Sequence, residues 1–254
     1  MVDPTVRINV PDIIHSKWDE MLTPYHNIFG KLNERLSKPF EQSYKTRYGN
    51  VVNIRDFASR IDSVRYKLTY AVKSLEYLLG VYGKYSVSFE ASERAMTDSI
   101  SEDFIFQEDV FFYFAYSALD IVGGIIDTLV ETGLDKHEVS FTKVFDFLAS
   151  TTKSPFVGSL IDELKKDSDK GWICELRQYR NFVTHHSAIH PKLRFSASNR
   201  NKTIEINLFM LPDDPNETSF AYEKKRELVP YCQEVLTREL DVMKVLLEFV
   251  EKLM

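Results

Sequence analysis

Cysteine is scarce in this chain. Cys174 and Cys232 stand far apart with no paired spacing, which argues against a disulfide framework and against a zinc site built on Cys-x-x-Cys. Glycine and proline are also few, nine of each in 254 residues, so long regular elements are expected rather than loops. Glycine-rich phosphate loops, a Ser/His/Asp order and dinucleotide fingerprints are all missing, which removes the commonest nucleotide-dependent and serine-nucleophile classes. The start, Met1-Val2-Asp3-Pro4-Thr5, has neither the basic residues nor the apolar run of a signal peptide. No apolar run is expected to reach bilayer length. A cytoplasmic, reducing setting with no membrane partner follows as the expectation. Internal repeats and low-complexity tracts are absent.

The most informative absence is local. From Leu176 to Ile204 there is no Asp or Glu, although the chain carries 38 acids and a net charge of −6. By composition such a gap arises at a given place roughly once in a hundred times. The same window holds Arg177, Arg180, Lys192, Arg194, Arg200 and Lys202, with His185, His186 and His190. An acidic protein that keeps one region free of negative charge is suited to admit an anion there.

What is present supports a large helical core: 44% apolar residues, among them 18 Phe and 13 Tyr. After an arm over 1–11, Asp12 is placed to cap a helix with Ile14, Trp18, Met21, Tyr25, Ile28, Leu32 and Leu36 on one stripe and a kink at Pro24. Residues 37–50 read as a connection. Asn53 opens a second helix striped by Ile54, Phe57, Ile61, Val64, Leu68, Val72, Leu75, Leu79 and Tyr82. Gly83 to Asp98 reads as irregular. Ser99 and Glu102 form a capping-box pair for a helix running to about Thr132, apolar nearly all round and so expected to be buried. Gly123-Gly124 would let a neighbour approach closely. Asp109, Asp120 and Asp127 in that helix need a cap, a partner or solvent; Asp120 is a candidate partner for Arg177 or Arg180.

Phe141–Ala149 and Phe156–Lys166 read as shorter helices. The next runs from Gly171 to about His186, its apolar face made by Trp172, Ile173, Leu176, Tyr179, Phe182 and Val183, and Pro191 forbids its extension. Then the period changes to two. Leu193, Phe195 and Ala197, a turn at Asn199–Lys202, and Ile204, Ile206, Leu208 and Met210 make a β-hairpin over 192–210, with Lys192, Arg194, Arg200 and Lys202 on its polar face or tip. Leu211–Asn216 is a linker. Asn216-Glu217-Thr218 fits the glycosylation pattern but has no secretory context. Pro230 suits the first turn of a last helix over 229–254. The expectation is an all-α fold: one domain, 1–254, a bundle of long antiparallel helices over 12–186 with the hairpin inserted before the C-terminal helix.

At the end of the 171–186 helix stands Arg180-Asn181-Phe182-Val183-Thr184-His185. Asn181 and His185, four apart, share a face, and Arg180 lies about 100° from Asn181. This six-residue pattern, set among long helices, resembles the HEPN superfamily, whose Arg-x(4–6)-His motif sits near a helix end, often as Arg-Asn-x-x-x-His. The resemblance is to the prokaryotic HEPN group of unassigned role. It implies metal-independent cleavage of single-stranded RNA, with no cofactor: His185 as general acid/base, Arg180 as phosphate clamp, Asn181 orienting His185 or the ribose, and His186 and Arg177 with the hairpin cations binding the strand; Asp120, as a partner of Arg177 or Arg180, would support the site. It also implies a homodimer with two motifs facing across a two-fold axis.

Other readings stay open. Many HEPN domains are inactive, so an RNA- or nucleotide-binding module or a helical scaffold is an alternative. A toxin held silent by an antitoxin protein, or part of a defence system, is another. An Arg–His pair at a helix end also has a structural use, the histidine offsetting the helix dipole and the arginine pairing with an acid. His185, His186 and His190 lack a nearby carboxylate or thiol to complete a shell, so no metal is expected.

Overall fold

The structure, a computed structural model, describes residues 11–38, 43–45, 51–82, 86–88, 93–151, 171–186, 188–189, 192–198, 203–217 and 221–254. The described elements are α1 (Asp12–Leu36), β1 (Ser43–Lys45), β2 (Val51–Asn53), α2 (Ile54–Tyr82), β3 (Ser86–Ser88), α3 (Glu93–Val130), α4 (Phe141–Thr151), α5 (Trp172–His185), β4 (Lys192–Ser198), β5 (Thr203–Met210) and α6 (Leu228–Leu253). The fold is all-α, with small antiparallel sheets as accessories. The expected 156–166 helix and the 199–202 turn lie outside the described residues.

α3 is the axis of the bundle. It packs against α2, α4, α5 and α6, while α1 lies along α6. Its sequence dictates this position: Phe104, Phe111, Phe112, Leu119, Val122, Ile125 and Leu129 are wholly buried, and a helix with so wide an apolar surface must be enclosed on several sides. Within Glu102–Val130 an 18-residue window has a mean hydropathy of 1.5, enough by length and composition for a membrane span, which corrects the expectation that no run reaches that length. Over half of that window is buried inside the fold, and the helix around it carries Glu108, Asp109, Asp120 and Asp127. Nor is α3 enclosed all round as expected. Phe106 and Tyr113 are 63% and 41% exposed.

Local signals explain the element ends, with corrections. Asn53 Oδ1 accepts the backbone N–H groups of Arg55 (2.9 Å) and Asp56 (3.2 Å), a cap of the kind that contributes about 1 kcal/mol. Asp12, by contrast, is not the cap of α1. Pro11 holds that position and Asp12 is the first helical residue, where its charge still suits the dipole. The helix runs on through Pro24. α3 begins at Glu93, so Ser99 lies inside it, and β3 stands where irregular chain was expected. Ser-x-x-Glu is as compatible with a helix interior as with its start, and the preceding residues are adequate helix formers.

β4 and β5 form the expected hairpin, with Lys192 opposite Met210 and Ala197 opposite Ile204 and an irregularity between Arg194 and Phe195. β3 pairs with the other edge of β5, giving the order β3-β5-β4. Phe209 of β5 stacks on Phe104 of α3 at 3.8 Å, which pins the hairpin's second strand to the bundle. Phe112, Tyr179 and Tyr231 join α3, α5 and α6 through a stack at 4.7 Å and an edge contact at 5.7 Å. These contacts fix α5, which carries the motif, on the central helix.

Candidate functional site

The motif occupies the last two turns of α5. Arg180 points toward α3, where its Nη2 lies 2.6 Å from Asp120 Oδ2. Its Nη1 donates to Asn181 Oδ1 at 2.8 Å, and its guanidinium lies 5.1 Å from the centre of the Tyr116 ring. The side chains of Arg180 and Asp120 are each 23% exposed. Arg180 Nε is buried and makes no hydrogen bond.

Asp120 does a second task. Its Oδ1 accepts the N–H of Phe141 at 3.2 Å, and Phe141 is the first residue of α4, so one carboxylate caps α4 and holds Arg180. Gly123 makes this possible. A Cβ there would lie 2.8 Å from Phe141 Cα and 3.0 Å from its nitrogen, closer than carbon atoms tolerate, so only glycine lets α4 start this near α3. Burial pushes the Asp120 carboxyl above its ordinary range, while the Phe141 N–H, Arg180 and Arg177 pull the other way. Arg177 itself donates to Thr142 Oγ1 at 3.4 Å.

α5 ends at His185, whose side chain is exposed, as is that of His186. His186 still donates its backbone N–H to Phe182 O at 2.9 Å and lays its ring 5.6 Å from that of Phe182. Thr184 Oγ1 donates to Arg180 O at 2.7 Å. The site therefore joins Arg180, Asn181, Asp120 and Tyr116 in a half-buried cluster, with His185 open to solvent one turn further on. Lys192 and Arg194 lie on β4, with side chains outside the description; Arg200, Lys202 and His190 lie outside the described residues altogether. Among the described residues, no group of three His, Cys, Asp or Glu side chains could hold a metal. An open groove of about 520 Å³ between α1 and α2, lined by Trp18, Tyr25, Phe29 and Arg65, contains none of the motif residues.

Tyr116 and Thr142 are missing from the sequence reading. Tyr116 lies four residues before Asp120, one helical turn, and that spacing is the only sequence signal that it would share the arginine. Also unforeseen is a second arginine cluster at the other end of α5. Arg226 Nη2 lies 2.5 Å from Glu175 Oε1, its Nη1 donates to Tyr179 Oη at 2.9 Å, and its guanidinium sits 4.8 Å from the Tyr231 ring centre. The Tyr179 hydroxyl donates to Pro212 O at 2.6 Å.

A bundle of long helices that closes its motif helix with Arg-Asn-x-x-x-His has the character of a HEPN domain. A family model described as HEPN_Cthe2314-like HEPN matches residues 37–249, more than four fifths of the chain. The chain belongs to that family. No curated protein and no solved structure matches it.

Proposed function

We propose that this HEPN protein is a metal-independent endoribonuclease acting on single-stranded RNA. The observation that supports this reading most is the exposed His185 imidazole at the helix end, one turn beyond an Arg180–Asn181 pair joined by a 2.8 Å hydrogen bond. In the reaction, a ribose 2′-hydroxyl attacks the adjacent phosphorus. The O–P bond to the next nucleotide breaks, giving a cyclic phosphate and a free 5′-hydroxyl. Histidine moves protons near neutral pH. Arginine stabilises the charge that grows on the phosphorane, since its planar fork stays charged and meets phosphate oxygens in pairs. One well-aimed donor of this kind contributes on the order of 3 kcal/mol. In a homodimer two such half-sites would face one another, and the acid-free stretch would lower the repulsion that an acidic protein presents to RNA. The proposed setting is cytoplasmic, within a toxin–antitoxin or defence system and with an antitoxin protein as a further partner.

One observation favours a second reading. Both terminal nitrogens of Arg180 are already engaged, by Asp120 and Asn181. A phosphate must displace or share those partners. A domain that keeps them would be an inactive RNA- or nucleotide-binding module or a helical scaffold. Incubating the purified chain with single-stranded RNA and a chelator separates the two. The nuclease reading expects fragments with cyclic phosphate ends, lost in His185→Ala; intact RNA beside undiminished binding would favour the module.

A further inference from the structure

The aromatic side chains left outside the core gather between α2 and α3. Tyr66 and Tyr113 are 53% and 41% exposed. The Tyr66 hydroxyl is 2.8 Å from that of Tyr70. Tyr70 stacks on Phe114 at 5.0 Å, and Phe114 meets Tyr113 edge-on at 5.3 Å. Lys67 Nζ lies over both α3 rings, 4.8 Å from the centre of Tyr113 and 4.6 Å from that of Phe114. Lys73 Nζ lies 5.6 Å from the centre of Tyr70. Among the described residues neither lysine forms an ion pair, and three acids of the same two helices are engaged elsewhere. Asp62 holds Arg65, Asp103 accepts from Tyr77, and Asp109 from the N–H of Ile189.

Helical geometry leads this patch to the motif. Tyr113 and Asp120 are seven residues apart, so they share a face of α3 to within about 20°, separated by about 10 Å of rise. At the Asp120 end sits Arg180, and from the α2 side Arg60 donates to Gly124 O at 3.4 Å and Thr128 Oγ1 at 3.3 Å. Cations from α2 thus flank an aromatic surface that ends at the proposed phosphate clamp.

We infer that the α2–α3 face is the track on which single-stranded RNA lies beside the cut, its bases stacked on Tyr66 and Tyr113 and its phosphates met by Lys67 and Lys73. The identity of the ligand rests on the ribonuclease reading. Charge complementarity favours RNA over a second copy of the chain. A strand brings one phosphate per nucleotide to unpaired lysines and a π-face to each tyrosine. Burying Lys67 and Lys73 against another protein surface would strip their water, and lysine is depleted at the centres of such interfaces.

The test uses the full chain carrying His185→Ala, so that RNA is not cut, with a fluorescent single-stranded RNA of about 12 nucleotides and anisotropy as the readout. Tyr66→Ala and Tyr113→Ala are each expected to weaken binding about tenfold, the scale of one lost base–aromatic stack. Tyr66→Phe should keep the affinity. Lys67→Gln should lower the slope of log affinity against log salt by about 0.7, one phosphate contact on a single strand. A sugar–phosphate strand without bases should bind more weakly and ignore both tyrosine substitutions. Since both tyrosines are exposed, melting temperatures should not move. Unchanged affinity in the tyrosine variants overturns the track even where the parent chain binds RNA. A dimer that falls apart in those variants while RNA affinity holds assigns the face to a second copy and overturns it too. A chain that binds RNA through the tyrosines but, with His185 intact, cuts none would keep the track and remove the nuclease reading instead.

Discussion

Arg180 and Arg226 are built alike. Each has a carboxylate within 2.6 Å of its Nη2, an oxygen partner on its Nη1 and a tyrosine ring beneath its guanidinium at about 5 Å. An arginine held this way is therefore not a site in itself. What differs is the surroundings. Arg226 is the more enclosed, 16% against 23% side-chain exposure, and its tyrosine hydroxyl is fixed in turn on Pro212 O, so it ties the start of α5 to the chain entering α6. Arg180 stands one turn from an exposed histidine, has a backbone-capping carboxylate as partner and keeps a buried Nε without a hydrogen bond. Such an unfulfilled donor is costly in a structure.

The largest contrast between the two should appear on exchange for alanine. Arg180→Ala is expected to lower RNA cleavage by about 100- to 1000-fold, the loss recorded when one transition-state donor is removed, while Asp120, which keeps the Phe141 N–H, limits the cost to the fold. Arg226→Ala should do the reverse. It leaves Glu175 with only the longer contact to Lys224 at 3.8 Å and takes the Arg226 donor from the Tyr179 hydroxyl, at roughly 1–3 kcal/mol, the scale of a lost partner for a buried polar group, with cleavage falling only as far as α5 loosens. Denaturant melts and single-turnover cleavage on both variants decide it. Equal stability losses and equal cleavage losses would make the two clusters equivalent and leave Arg180 a structural residue.

Much of this arrangement was legible in the sequence, for physical reasons. The stripes of α1, α2 and α6 each have one buried face, which writes a period of 3.6 into the chain, and the alternation over 192–210 writes the period of two that a strand requires. The pairing of Asp120 with an arginine was legible because an acid within an apolar helix needs a partner, and the acid-free window offered two. The Arg226 cluster was not, because Glu175 and Arg226 are 51 residues apart and neither sits in an environment that demands explanation from sequence alone. The exposed tyrosines were hidden for the opposite reason. Tyr113 and Phe106 lie in a helix so rich in apolar residues that no polar face signals its outer side.

A smaller effect separates the clusters through the glycine that only one of them uses. Gly123→Ala forces a methyl group to 2.8 Å from Phe141 Cα, and a backbone neighbour cannot swing aside. A loss of about 1–3 kcal/mol is expected, the scale of overpacking, against the small gain that alanine normally brings inside a helix. As α4 moves off, Asp120 loses the Phe141 N–H, so the variant should also show weakened cleavage while the Glu175–Arg226 pair stays intact. A Gly123→Ala chain that melts higher than its parent would mean that the close approach of α4 to α3 is not real.

The least effect concerns what holds the chain just beyond the motif. Asp109 accepts the N–H of Ile189 at 3.4 Å, as Arg226 holds the other end of α5. Burial lifts the Asp109 carboxyl from 3.8 to about 6, with the Ile189 N–H opposing the shift. A pKa raised by folding means that the protonated form is favoured in the folded chain, so this group's contribution is fully present below pH 3.8 and is lost as pH rises through about 6. At neutral pH the chain carries a half-buried carboxylate at a cost, after allowance for solvent screening, on the order of 1 kcal/mol. Asp109→Asn keeps the acceptor and removes the charge. The variant should melt about 2–4 °C higher than the parent above pH 7, with the gap closing as pH falls toward 4. Thermal melts across that range check the sign: a gap that widens on acidification would show that Asp109 is stabilised as the anion, and so that it pairs with a cation rather than with the Ile189 N–H alone.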